Sequence, residues 1–143
     1  METIDNVKVF DHHDAITALR AVVKGREDFV YTNSEDYRDV VSCVNWVRDE
    51  EGGPWRASCV VGHVLTSWDY PEDFKLISRY AGIRPTMGLW SGVRVTDHAE
   101  AVLGVAQYAQ DREGGTWGEA LRRAEEVYAE ADPDQIQDYL NNY

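Results

Sequence analysis

Cys59 and His63 stand four residues apart inside the apolar run WRASCVVGHVL, residues 55–65. On a helix, side chains at i and i+4 share a face. A thiolate and an imidazole so placed can ligate zinc or form a nucleophilic pair. A structural zinc site needs four ligands, and Cys43 with one of His98, His12 or His13 would complete a two-cysteine, two-histidine set. The pattern argues against both chemistries. Neither cysteine belongs to a Cys-x-x-Cys knuckle, and the histidines are scattered. A thiol among Val60, Val61, Val64 and Leu65 is held protonated and inert by its apolar surroundings. The expectation is no catalytic residue, no metal and no cofactor. Cys59 should pack inward, Gly62 should admit a close backbone contact, and His63 should hydrogen-bond from the edge of the core. Cys43, Cys59, His63 and His98 are the residues to consider if a metal is bound.

The tetrapeptide DHHD, residues 11–14, has the residue types of a metal site. Adjacent positions on a helix diverge by about 100°, so capping by Asp11 is the more economical reading. The chain has no phosphate-binding Walker loop, dinucleotide glycine fingerprint, Gly-x-Ser-x-Gly elbow or His-Glu-x-x-His pair. Of the five tryptophans, Trp55 and Trp90 sit in Gly/Pro-rich segments and are the candidate protein-interface residues.

The elements that would position these residues are mainly helical. A length of 143 residues suits one domain, spanning 1–143, with 43% hydrophobic and 28% charged residues as in a soluble globular chain. Helical spacing predicts a first helix from Asp11 or His12 to about Lys24, stopped by Gly25. VKVF (residues 7–10) and DFVYT (residues 28–32) can be extended. Residues 37–47 fit either helix or strand. A short buried helix follows Ala57 or Ser58. Another follows Pro71, with Phe74, Ile77 and Ala81 inward, Tyr80 at the edge of that face and Leu76 off it. RPTMGLWSG (residues 84–92) reads as a loop and VRVT (residues 93–96) as a strand. Thr96 or Asp97 should cap a helix reaching Gln110. TWGE (residues 116–119) should form a capping box for a helix bearing Trp117, Ala120, Leu121, Ala124, Val127 and Tyr128. Asp132 should cap the last helix. The reading is a single compact, mainly α domain of five or six helices with two or three short strands.

Charge narrows the function classes. The net charge is −12. Residues 1–52 contribute −6, residues 53–95 contribute +2 and residues 96–143 contribute −8. Such a surface repels phosphates, so direct nucleic-acid binding is disfavoured. An acidic chain can instead mimic DNA, though a solubilising surface is the simpler account. No apolar run reaches the roughly 20 residues a membrane helix needs, and no secretory signal is evident. Two cysteines without a framework read as reduced thiols in a cytoplasm.

CVVGHVL (residues 59–65) and AVLGVAQYAQDREGGTWGEALRRAEE (residues 101–126) resemble segments of small accessory proteins of actinobacterial phages and their hosts. The resemblance spans residues 43–126 and carries no known activity or site residue. It implies a phage accessory protein in the host bacterial cytoplasm. With the absent motifs, it points to a non-enzymatic protein that binds a host or phage protein. The alternatives are an acidic DNA mimic and a small metal- or thiol-dependent enzyme built on Cys59 and His63.

Overall fold

The computed structural model describes residues 1–30, 45–48, 50–79, 83–111 and 115–142. Two strands open the chain, β1 (Glu2–Ile4) and β2 (Val7–Phe10), paired antiparallel with Ile4 opposite Val7. The two residues between them, Asp5 and Asn6, have φ of +50° and +66°. Two consecutive left-handed residues are what a tight hairpin with strand-matching twist requires, and Asp and Asn tolerate that region well. The Asp-Asn pair ahead of VKVF was thus a legible signal for β1, which periodicity alone does not supply.

Helix α1 (His12–Val23) starts from a complete capping box: Asp11 Oδ1 accepts from the Asp14 N–H, and Asp14 Oδ2 from the Asp11 N–H. Its apolar stripe of Ile16, Leu19, Val22 and Val23 is buried, and Gly25 ends it with φ +79°. The strand alternative holds at the end of 37–47: β3 (Trp46–Val47) pairs antiparallel with β4 (Arg56–Ala57). Residues 37–44 lie outside the described residues. From DFVYT, Val30 makes a single bridge to Thr116.

Helix α2 (Val60–Ser67) follows. After a 3₁₀ turn, Glu72–Phe74, come α3 (Lys75–Ser78), α4 (Ile83–Gly88) and β5 (Val93–Val95), which pairs parallel to β2. Helices α5 (Asp97–Asp111), α6 (Trp117–Tyr128) and α7 (Pro133–Asn142) complete the chain. The fold is mainly α, with seven helices and five short strands among the described residues.

Two expectations in the middle segment are corrected. Ile77 is 71% exposed, while Lys75 and Ser78 are buried. The 3₁₀ turn advances three residues per turn rather than 3.6, which rotates the following helix out of the phase read from a continuous pattern. The segment read as a loop at 84–92 contains α4. Pro85 falls in its first turn, where the missing N–H has no intrahelical acceptor to lose.

Helix α5 is the centre of the domain, packed against α1, α2, α4, α6 and α7. Ala101 and Val105 are buried in addition to the predicted Ala99, Val102, Leu103, Ala106 and Ala109. A helix covered on more than one face needs small residues where neighbours come closest. Helices α5 and α6 run antiparallel: Trp117 Nε1 at the start of α6 donates to Gln110 Oε1 near the end of α5 (3.0 Å), and His98 Nε2 near the start of α5 lies 2.7 Å from the Val127 carbonyl near the end of α6. The TWGE capping box is half formed. Thr116 Oγ1 accepts from the Glu119 N–H, but the Glu119 carboxylate turns to Arg122 and Arg123 instead. Charge-assisted bonds to guanidinium are stronger than one to a neutral amide.

The strongest packing constraint is at Gly62. A Cβ there would lie 2.1 Å from the Asn45 carbonyl oxygen. Gly62→Ala must push two backbones apart, and overpacking of this kind costs roughly 1–3 kcal/mol or more. Gly104 lies in α5 with nothing near its Cβ position. Gly104→Ala should stabilise by about 0.4–1 kcal/mol through the unfolded chain. Urea unfolding of the two variants checks the pair; equal midpoints would refute the close contact at Gly62.

Candidate binding groove

Asn45, Cys59 and Gly62 fix the orientation of α2. Cys59 is fully buried and is the N-cap of the helix, its sulfur 3.4 Å from the Gly62 N–H. It is disulfide-bonded. The reduced-thiol expectation is corrected, and with it the thiol argument for a cytoplasmic location. The chain's other cysteine, Cys43, lies outside the described residues. A disulfide sulfur offers no thiolate, so in this state Cys59 can neither ligate zinc nor attack a carbonyl.

His63, four residues on, does not share a site with Cys59. It lines a groove of about 700 Å³, together with Arg26, Phe29, Val47, Trp55, Arg56 and Trp117 among others. The predicted metal set is likewise dispersed: His98 lines a different cleft. No group of three or more His, Cys, Asp or Glu among the described residues is arranged to hold a metal ion.

Four elements build the groove. The segment after α1 supplies Arg26 and Phe29. It is docked onto the start of α6, where the Trp117 N–H donates to the Phe29 carbonyl (2.8 Å) and the Gly118 N–H to the Glu27 carbonyl (2.9 Å). The first N–H groups of a helix have no internal acceptor, so the 27–29 segment satisfies α6 while α6 holds that segment in place. A Cβ at residue 118 would come within 2.9 Å of the Glu27 carbonyl, so this approach also requires glycine. Trp117 is buried with its Nε1 tied to Gln110. Strand β4 contributes Arg56, with Trp55 just before it, and α2 contributes His63.

The walls are aromatic and cationic. The Phe29 ring meets Trp117 edge-on at 4.6 Å, and His63 meets it edge-on at 5.4 Å. Arg26 lies over the Trp117 ring at 5.3 Å and Arg48 over Trp55 at 4.4 Å. Among the described residues, no carboxylate lines the groove. Burial first, and the Arg26 charge second, lower the pKa of His63. Phe29 in the lining is 46% exposed.

Trp55, proposed from sequence as an interface residue, is half-buried in this groove. Trp90 is not part of it. Its ring packs edge-on to Tyr70 (5.4 Å) and tilted against Phe10 (6.0 Å), half-buried against the core. Arg26, Phe29 and His63 were missed as groove residues. Of these only His63 lies in the +2 middle segment; Arg26 and Phe29 lie in a −6 segment and carry no sequence signal for the groove.

A second concave region joins the starts of α1 and α5 to the end of α6. The His12 and His98 rings stack at 4.1 Å, and His13 lies 4.1 Å from His12. His98 donates through Nε2 to the Val127 carbonyl (2.7 Å), since a carbonyl can only accept. His13 Nδ1 bonds Tyr128 Oη (2.8 Å). Burial, then the neighbouring His98 and His13, lower the pKa of His12. The DHHD residues are therefore more than caps, because tertiary packing brings His98 and Tyr128 to them. This cleft of about 680 Å³ mixes Arg94 with Asp97 and Glu130, and Asp97 is already bonded to Gln137 (3.0 Å).

No protein-family model, curated protein or solved structure matches this chain.

Two predictions follow from these side chains. Denatured, unreduced protein should show no alkylatable thiol at Cys59, and reduction should destabilise the fold by roughly 2–4 kcal/mol. A titratable Cys59 thiol without reductant would sink the assignment.

His12 and His63 both have folded-state pKa values below the ordinary 6.5. The unfolded chain therefore binds their protons more readily, so their contribution to stability is full above about pH 6.5 and is lost as pH falls through that value. Glu119, held at about 2 by hydrogen bonds from Arg122, titrates well below this window. Urea midpoints should fall between about pH 7.5 and pH 5.5, and the fall should shrink in a His12→Gln/His63→Gln protein. An identical fall in that protein would place the proton uptake elsewhere.

Proposed function

We propose that this protein is a non-enzymatic phage accessory protein that binds a host or phage protein, and that the groove around Trp55 is its contact surface. One observation carries the reading: an acidic chain gathers arginines and partly exposed aromatic rings in one groove, with no carboxylate among the described lining residues. Tryptophan and arginine dominate the energetics of protein interfaces, because each covers much area and loses little freedom on docking. The walls are pinned by backbone and buried side-chain hydrogen bonds, so little ordering cost falls on binding.

The bacterial cytoplasm enters this reading through the phage resemblance, not through thiol chemistry. No helix among the described residues is long and apolar enough to cross a membrane. The DNA-mimic alternative needs carboxylates free to imitate phosphates. Here Glu119 and Glu126 pair with Arg122, Glu125 with Arg20 and Glu100 with Arg84, which favours the interaction reading. The thiol- or metal-enzyme alternative is disfavoured by the disulfide at Cys59 and by the separation of His63 from His98.

A photo-crosslinking residue at position 55 should capture one defined protein from lysate of a phage-infected actinobacterial host. The same residue at exposed position 77 should not. Equal capture from both positions, or none from 55, would remove the groove from the reading.

A further inference from the structure

We infer that the groove recognises a short acidic peptide segment bearing an apolar or aromatic side chain, an assignment that rests on the groove being the protein's contact surface. Two features define the partner's chemistry. The first is the pair of arginine–tryptophan stacks, Arg26 on Trp117 and Arg48 on Trp55. A guanidinium lying over an indole ring is restrained, while its N–H groups stay available at the edge for bidentate bonding to a carboxylate. No carboxylate among the described residues forms a salt bridge with Arg26 or Arg48. The second is the apolar lining: Phe29, Val47 and Trp55 offer a floor for a side chain that brings no charge.

The surrounding charge decides the class of partner. Residues 1–52 and 96–143 carry −6 and −8. A nucleic acid brings a phosphate at every nucleotide and cannot confine its charge to the groove. Its flanking phosphates would meet that acidic surface. A peptide can place two or three carboxylates over the arginines and leave its flanks neutral. At physiological ionic strength charges are screened within about 8 Å, so a short ligand responds to the charges at the groove itself, where Arg26 and Arg48 are stacked on the tryptophans. His63, with its pKa lowered by burial and Arg26, adds a neutral hydrogen-bonding edge beside the cations.

The test is a fluorescence-anisotropy titration of the whole protein with a labelled peptide of about twelve residues, alternating glutamate and leucine with neutral flanks. Binding should weaken by about tenfold or more in Arg26→Glu and in Arg48→Glu, and should fall as salt rises. Arg94→Glu makes the same charge change at the histidine cleft and should bind as the parent does. The melting temperature of each variant, measured alongside, separates lost binding from lost folding. Tighter binding of an oligothymidylate of equal length would overturn the peptide assignment in favour of nucleic acid. A concentration-dependent dimer abolished by Arg26→Glu would overturn it in favour of a second copy of this chain. Failure of the peptide to bind, with crosslinking from position 55 intact, would refute the acidic chemistry and leave the interaction reading standing. Failure of both would remove both.

Discussion

The passage of the Asn45 backbone across Gly62 is the contact on which the rest of the structure depends. Asn45 is almost fully buried, and a polar residue can be so only if its groups are satisfied. Its N–H donates to the Arg79 carbonyl, its carbonyl accepts from the Ser58 N–H, and its side-chain amide donates to the Ser78 carbonyl. One residue therefore ties the entry to β3, the end of β4 and the end of α3. The carbonyl reaches Ser58 only because position 62 has no side chain. Nearby, Trp46 is buried between Tyr70 and Lys75, with its Nε1 donating to Ser78. An apolar ring and its single polar atom are both accommodated there, as burial of tryptophan demands.

That contact has consequences at the surface. With α2 locked at Gly62, Cys59 faces the core and His63 faces the groove. Gln110 is the second fastening. Its side-chain oxygen accepts from both the Val60 N–H and Trp117 Nε1, so the starts of α2 and α6 are held to the same atom. The groove is a fixed display on four elements, with α2 and α6 fastened at Gln110. Recognition by such a surface depends on complementarity more than on loop ordering.

Electrostatics then separates the faces of the molecule. Much of the acidity of α6 is neutralised locally by Arg20, Arg122 and Arg123. At the groove, Arg26 and Arg48 lie over tryptophan faces and make no salt bridge to a carboxylate among the described residues. A local positive site on a negative molecule discriminates by size: small acidic segments meet the arginines, and extended polyanions meet the repulsive surround.

Much of the helical architecture could be read directly from the sequence. The stripes of α1 and α6, the Gly25 stop and the Asp11, Thr116 and Asp132 caps are local features, and local features are encoded by neighbours in the chain. Gly62 in an apolar helix announced a close backbone approach. The turn-rich surroundings of Trp55 matched its half-buried position at the groove. What only the tertiary structure decided involves partners distant in sequence. The phase of α3 depends on the 3₁₀ turn that precedes it. The disulfide state of Cys59 depends on which segments meet. The histidine cluster needs His98 brought to His12, and the groove needs the Arg26–Phe29 segment laid against Trp117. Sequence spacing measures separation along the chain, whereas these sites are set by distance across it.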